Sequence, residues 1–84
     1  MYKIVENIQK EEIDKDIVIY NEKTEKVIYL GEFESKLFQL LVGKTYNEAL
    51  ECIINIYGNE NIIKSDFLEF CNTLMEEGII WDDV

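Results

Sequence analysis

The 84-residue chain carries 18 acidic side chains against 8 basic ones, all lysine, for a formal net charge of −10, and it contains no His, Arg or Pro. A chain of this length builds one small domain around one core, and a hydrophobic share of 48% is too high for a disordered acidic tail. Without histidine, imidazole acid–base catalysis, Cys/His zinc sites and Cys–His nucleophiles are excluded, and the charge is opposite in sign to what a nucleic-acid backbone attracts.

The segment from Tyr2 to Ile13 holds Tyr2, Ile4 and Ile8 as the apolar positions of a weakly marked strand. Asp16-Ile17-Val18-Ile19-Tyr20 is a strongly β-branched run, and Lys26-Val27-Ile28-Tyr29-Leu30 is a second one. The polar cluster Asn21-Glu22-Lys23-Thr24-Glu25 between them suits the loop of an antiparallel hairpin. From Glu32 the period becomes helical. Phe33, Leu37, Leu40 and Leu41 form a seam, and Gly43 stands at the position that closes the helix. Thr45 and Glu48 form a capping box that opens a second helix, whose seam is Tyr46, Leu50, Ile53 and Tyr57, widened by Ala49 and Ile56 and ended by Gly58.

Asn59-Glu60-Asn61 reads as a polar connector. Ser65 is then the expected N-cap of a third helix, with Asp66 in its first turn and Phe67, Phe70, Cys71 and Leu74 as its inner seam. Gly78 stops that helix, and Ile79-Ile80-Trp81 runs into an acidic end. Three strands followed by three helices give an α+β domain in which the helices cover one face of a three-stranded antiparallel sheet. No internal repeat or linker divides the chain, so residues 1–84 read as a single domain.

Catalysis would have to use carboxylates, hydroxyls or tyrosines alone. The acidic pairs Glu11-Glu12, Glu76-Glu77 and Asp82-Asp83 are sequence neighbours, which do not face each other on a helix and read as solvated surface. Ser35 and Ser65 have no base to activate them. The four glycines sit singly at element ends, so there is no phosphate loop, and Asn59-Glu60-Asn61 lacks the spaced oxygens of a calcium loop. Cys52 and Cys71 match no CxxC pattern and read as two buried apolar thiols. The N-terminus has no apolar run of signal-peptide type, and no stretch approaches the ~20 apolar residues of a membrane span. The expected setting is the reducing cytoplasm, with no catalytic residue, cofactor or metal.

Two features suit binding. The strand Lys26 to Leu30, if its edge is open, is a template for an extended peptide. The third helix carries Leu68 and Met75 beyond its inner seam, more apolar width than one packing face needs, which suits a groove wall.

Taken in order, Tyr29-Leu30, Leu40-Leu41-Val42-Gly43, Thr45-Tyr46-Asn47-Glu48-Ala49-Leu50, Tyr57-Gly58, and Asp66, Phe70, Leu74 with Gly78-Ile79-Ile80 resemble the PqqD-like proteins, also called RiPP recognition elements. Gly31 stands where members usually have Asn, and glycine is tolerated as an N-cap. The resemblance implies a winged-helix-like fold and a function: binding the leader segment of a ribosomally made precursor peptide as an added antiparallel strand. The leader would lie beside Lys26, Val27, Ile28, Tyr29 and Leu30, against a helix wall drawn from Lys64, Phe67, Leu68, Cys71 and Met75, with Phe70 and Leu74 left to the core. The implied partners are the precursor peptide and a separate modifying enzyme, such as a radical S-adenosylmethionine maturase or a leader protease, with no nucleic acid and no membrane. A generic protein-interaction adapter is the alternative. A winged-helix DNA-binding regulator shares the fold, but its recognition helix would bring Asp66, Glu69, Glu76 and Glu77 against phosphates.

Overall fold

β-branched and aromatic residues dominate β3 (Asp16–Asn21) and β4 (Lys26–Leu30), and the two runs pair as the expected antiparallel hairpin, Ile17 opposite Leu30 and Asn21 opposite Lys26. The computed structural model describes residues 1–58 and 60–83, with backbone alone at residues 60–62. β2 (Ile8–Ile13) lies on the other side of β3, so the main sheet runs β2-β3-β4 and β4 is an edge. Alternation sends Ile17, Ile19, Asn21 and Leu30 inward, where they are buried, and sends Val27 and Tyr29 outward.

The N-terminal segment departs from expectation. Tyr2 and Ile4 do not share a strand with Ile8; they lie in β1 (Tyr2–Ile4), which pairs antiparallel with β5 (Ile80–Asp82) in a second, two-stranded sheet. The division falls where the Val5 amide donates to the Ile79 carbonyl at 3.0 Å and so keeps the chain beside the residue preceding β5 before it turns into β2. Ile79-Ile80-Trp81, read as a run into the acidic end, thus leads into a strand. The expected α+β architecture of a three-stranded antiparallel sheet followed by three helices stands, with this ribbon added.

The helices are α1 (Glu32–Leu41), α2 (Tyr46–Tyr57) and α3 (Glu60–Glu76). Gly31 caps α1 without a side chain, and the buried Ser35 hydroxyl donates to the Leu30 carbonyl at 2.9 Å, tying the helix to the end of β4. At α2 the capping box is complete: the Glu48 amide donates to the Thr45 hydroxyl at 3.2 Å, and the Thr45 amide donates to Glu48 at 3.0 Å. That second bond holds the Glu48 carboxyl below its ordinary range. α3 begins at Glu60, five residues before Ser65, so Ser65 is an exposed interior residue rather than a cap. Serine inside an exposed helix costs under ~1 kcal/mol relative to alanine, too little to stop one. Of the expected connector, Glu60 and Asn61 are helical and Asn59 lies outside the described residues.

One buried cluster joins the elements. Ile17, Ile19 and Leu30 of the sheet meet Leu37, Phe38 and Leu41 of α1, Ala49, Leu50 and Ile53 of α2, and Phe67, Cys71 and Leu74 of α3. Tyr2, Ile79 and Ile80 extend it to the ribbon. Burial pushes the Cys71 thiol up to about 11 and holds the neighbouring Tyr2 hydroxyl far above its usual range. Cys52 differs from expectation in being only half-buried.

Asn21 is the polar hub of the fold. Its side-chain oxygen accepts from Asn7 at 2.6 Å and from the turn amides of Lys23 and Thr24 at 3.0 and 3.2 Å. Its amide donates to the Glu77 carbonyl at 3.0 Å, at the end of α3. There the Gly78 and Ile79 amides return to Met75 and Leu74 at 3.1 and 3.0 Å, a Schellman closure. Gly78 sits at φ 71 with Asn21 packed 3.3 Å from where a Cβ would stand, so conformation and space both demand glycine.

Two measurements check this description. Asn21→Ala strips the acceptor from two turn amides and the donor from a helix-end carbonyl, and should cost about 1–3 kcal/mol in urea denaturation at neutral pH. A thiolate-selective reagent at pH 8 should label Cys52 first and reach Cys71 only as the chain unfolds, because the buried thiol is neutral at that pH.

Candidate functional site

The two edges of the main sheet differ in kind. β2 carries Lys10, Glu11 and Glu12 in sequence, and Lys10 turns inward, its Nζ 6.0 Å from the centre of the Phe38 ring. Consecutive charges and an inward-pointing lysine are standard protection against unwanted strand pairing. β4 has Lys26 at its first position and then Val27, Ile28, Tyr29 and Leu30, with no charge. Its edge is left open.

The phase of the hydrogen-bond ladder decides which backbone groups that edge presents. The Glu22 amide donates to the Asn7 carbonyl at 3.0 Å, which makes Ile8 and Asn21 a non-hydrogen-bonded pair and turns the backbone groups of Asn21 toward β4. By alternation Ile19 bonds Ile28 and Ile17 bonds Leu30. The N–H and C=O groups of Val27 and Tyr29 therefore point away from the sheet. Their side chains are solvent-exposed at 63% and 61%, and the Tyr29 hydroxyl donates to the Asp16 carboxylate, which raises its pKa.

Beside this edge runs a groove of about 330 Å³. Ile28, Tyr29 and Leu30 form its strand side; Phe33, Glu34 and Leu37 close the end where β4 passes into α1; and Asp66, Glu69, Phe70, Thr73 and Leu74 form its helix side. Lys26 Nζ lies 3.6 Å from Glu77 of the turn after α3, and Phe33 packs edge-on against Tyr57 at 5.2 Å between ring centres.

The strand residues Ile28, Tyr29 and Leu30 thus line a groove, with Lys26 and Val27 continuing the same edge. The helix residues singled out in the sequence fall elsewhere. Phe67 and Cys71 are buried at 1% and 0% exposure, and Phe67 stacks on Tyr46 with ring centres 5.6 Å apart. At about 100° per residue, Leu68 stands about 160° around α3 from Phe70, and Lys64 and Met75 share its flank, away from the groove. Phe70, assigned from sequence to the core, is half-buried and lines the groove, while Leu74 is both core and groove floor. Sequence reasoning missed Phe33, Glu34, Asp66, Glu69 and Thr73 as lining residues. The spacing Asp66, Glu69, Phe70, Thr73 is a helical stripe, and only knowledge of which α3 face meets the sheet distinguishes it from the stripe Lys64, Leu68, Cys71, Met75.

Among the described residues there is no group of three or more His, Cys, Asp or Glu side chains placed to hold a metal, and no helix is long and apolar enough to cross a membrane. The site's means are backbone pairing, apolar surface and carboxylates.

No protein-family model matches the chain, and none of the curated proteins does. Among solved structures the chain is similar to TbiB1 in complex with the TbiA(beta) leader peptide, at a TM-score of 0.84 and 22% identity, covering 96% of this chain and 99% of that one. The fold implied by the PqqD-like resemblance is the fold this chain has.

Proposed function

We propose that the protein captures the leader segment of a ribosomally synthesised precursor peptide as an added antiparallel strand beside β4, over the groove facing α3. It then presents the rest of the precursor to a separate modifying enzyme or leader protease in the cytoplasm. The observation that carries this reading is the open β4 edge: uncharged from Val27 to Leu30, with the backbone groups of Val27 and Tyr29 turned outward, beside an apolar groove. Strand addition draws affinity from main-chain bonds and selectivity from pockets beneath alternate side chains, and both are present here. A protein of the same fold is solved with a leader peptide bound. The role is delivery, so the protein contributes binding and orientation while the partner enzyme supplies the chemistry.

Proline scanning along β4 tests this directly, with the leader of a precursor encoded beside the gene as ligand. Val27→Pro removes an N–H that faces solvent in the free protein, a position where an edge strand tolerates proline. It should leave the thermal midpoint near that of the parent and weaken leader binding about tenfold or more, the equivalent of about 1.4 kcal/mol. Ile28→Pro removes an N–H that bonds Ile19 and should lower the midpoint itself. Unchanged affinity in a folded Val27→Pro protein would overturn strand capture.

A further inference from the structure

The groove is acidic where it is apolar. Glu34 of α1 and Asp66 and Glu69 of α3 line it together with Phe33, Phe70 and Ile28, and no lysine does. The ion pairs among the described residues lie elsewhere: Lys15 and Lys36 with Glu32, Lys26 with Glu77, Lys3 with Asp83 and the N-terminal ammonium with Asp82. Three carboxylates thus rim one apolar floor with no cation of the groove's own to balance them, in a chain that already carries a net charge of −10.

The carboxylates also have a direction. The Lys26 end of β4 is fixed beside Glu77, while the Leu30 end passes directly into α1, where Glu34 stands. Asp66 and Glu69 lie 11 and 8 residues before Glu77, about 16 and 12 Å further up α3 at ~1.5 Å per residue. The acidic rim therefore sits at the Leu30 end of the groove. A strand antiparallel to β4 enters at that end with its N-terminal residues. Residues two or four apart on such a strand face the same side.

The geometry points to a charge-coded ligand: the bound segment carries Lys or Arg two or four positions N-terminal to a large apolar residue, the cation set against Glu34, Asp66 and Glu69 and the apolar side chain against Phe70. This deepens the leader-capture reading and rests on it. It also predicts a binding constant that falls steeply with salt, since a partly exposed charge contact is screened over a Debye length of about 8 Å at physiological ionic strength.

The test uses the full chain and a phage-displayed library of random dodecapeptides, with the selected sequences then made synthetically. Binders should be enriched in the basic-then-apolar spacing. Replacing that Lys or Arg by Gln should weaken binding about fivefold or more in low salt, and the difference should vanish in ~0.5 M NaCl, where the Debye length approaches ~4 Å. The combined Glu34→Gln, Asp66→Asn, Glu69→Gln variant alters only exposed side chains, and in it the Lys-to-Gln difference should disappear. Binders that lose affinity in Val27→Pro but show no basic enrichment, or a Lys-to-Gln change within twofold, overturn the charge code and leave strand capture standing. Binders indifferent to Val27→Pro, or a library that yields none, overturn both.

Discussion

One buried amide ties the hairpin that carries the groove's strand side to the end of the helix that carries its other side. Asn21 ends β3, accepts the two amides of the β3–β4 turn, and donates to the carbonyl that follows α3. Its hydrogen bonds therefore tie the hairpin to the helix at the Lys26 end of β4. At the other end the Ser35 hydroxyl ties α1 to the last residue of β4. Between those ties β4 and α3 run side by side without closing on each other, and the space between them is the groove. Asn21 satisfies its own donors and acceptors while doing so; no buried side-chain polar atom among the described residues lacks a partner. A hub of this kind is costly to disturb because each lost bond strands a group away from water.

The edge beside that groove is a liability the molecule has protected against elsewhere. Charges and an inward lysine defend β2, and the outer side of β1 is covered at Tyr2, whose backbone amide donates to the Lys44 carbonyl and whose carbonyl accepts from the Gly43 amide. β4 carries no charge after Lys26. An unprotected edge invites self-association, and the excess of ten negative charges opposes it by keeping copies of the chain apart. The same excess suits a cationic ligand, so solubility and selectivity draw on one property.

Much of the fold was legible. The hairpin followed from β-branched runs around a polar loop, α2 from Thr45 and Glu48, and the helix ends from Gly43, Gly58 and Gly78, each at positive φ. These signals are local, and local chemistry decided them. What the sequence did not disclose depends on partners distant in the chain. β1 exists because Tyr2 to Ile4 meets Ile80 to Asp82 across almost the whole length of the protein. The start of α3 was hidden because Ser65 and Asp66 make a good cap pattern inside a longer helix, where serine costs little.

The candidate site divides along the same line. The strand side of the groove, Ile28 to Leu30, falls within the run that the sequence singles out, because a strand needs only its own pattern. The helix half could not be read that way. Phe67 and Phe70 are both aromatic and three residues apart, and only the packing of α3 against Tyr46 and the sheet decides that Phe67 turns to the core and Phe70 to the groove. Asn21 looked like one more polar residue of a loop.

The most direct test is amide hydrogen exchange, residue by residue, with and without the leader of a neighbouring precursor. The outward amides of Val27 and Tyr29 should exchange freely in the unbound protein and gain strong protection on binding, while the outward amides of Lys10 and Glu12 on the opposite edge should stay as they were. Protection that appears along β2 instead, or tight binding that leaves Val27 and Tyr29 exchanging freely, would contradict leader capture at the β4 edge.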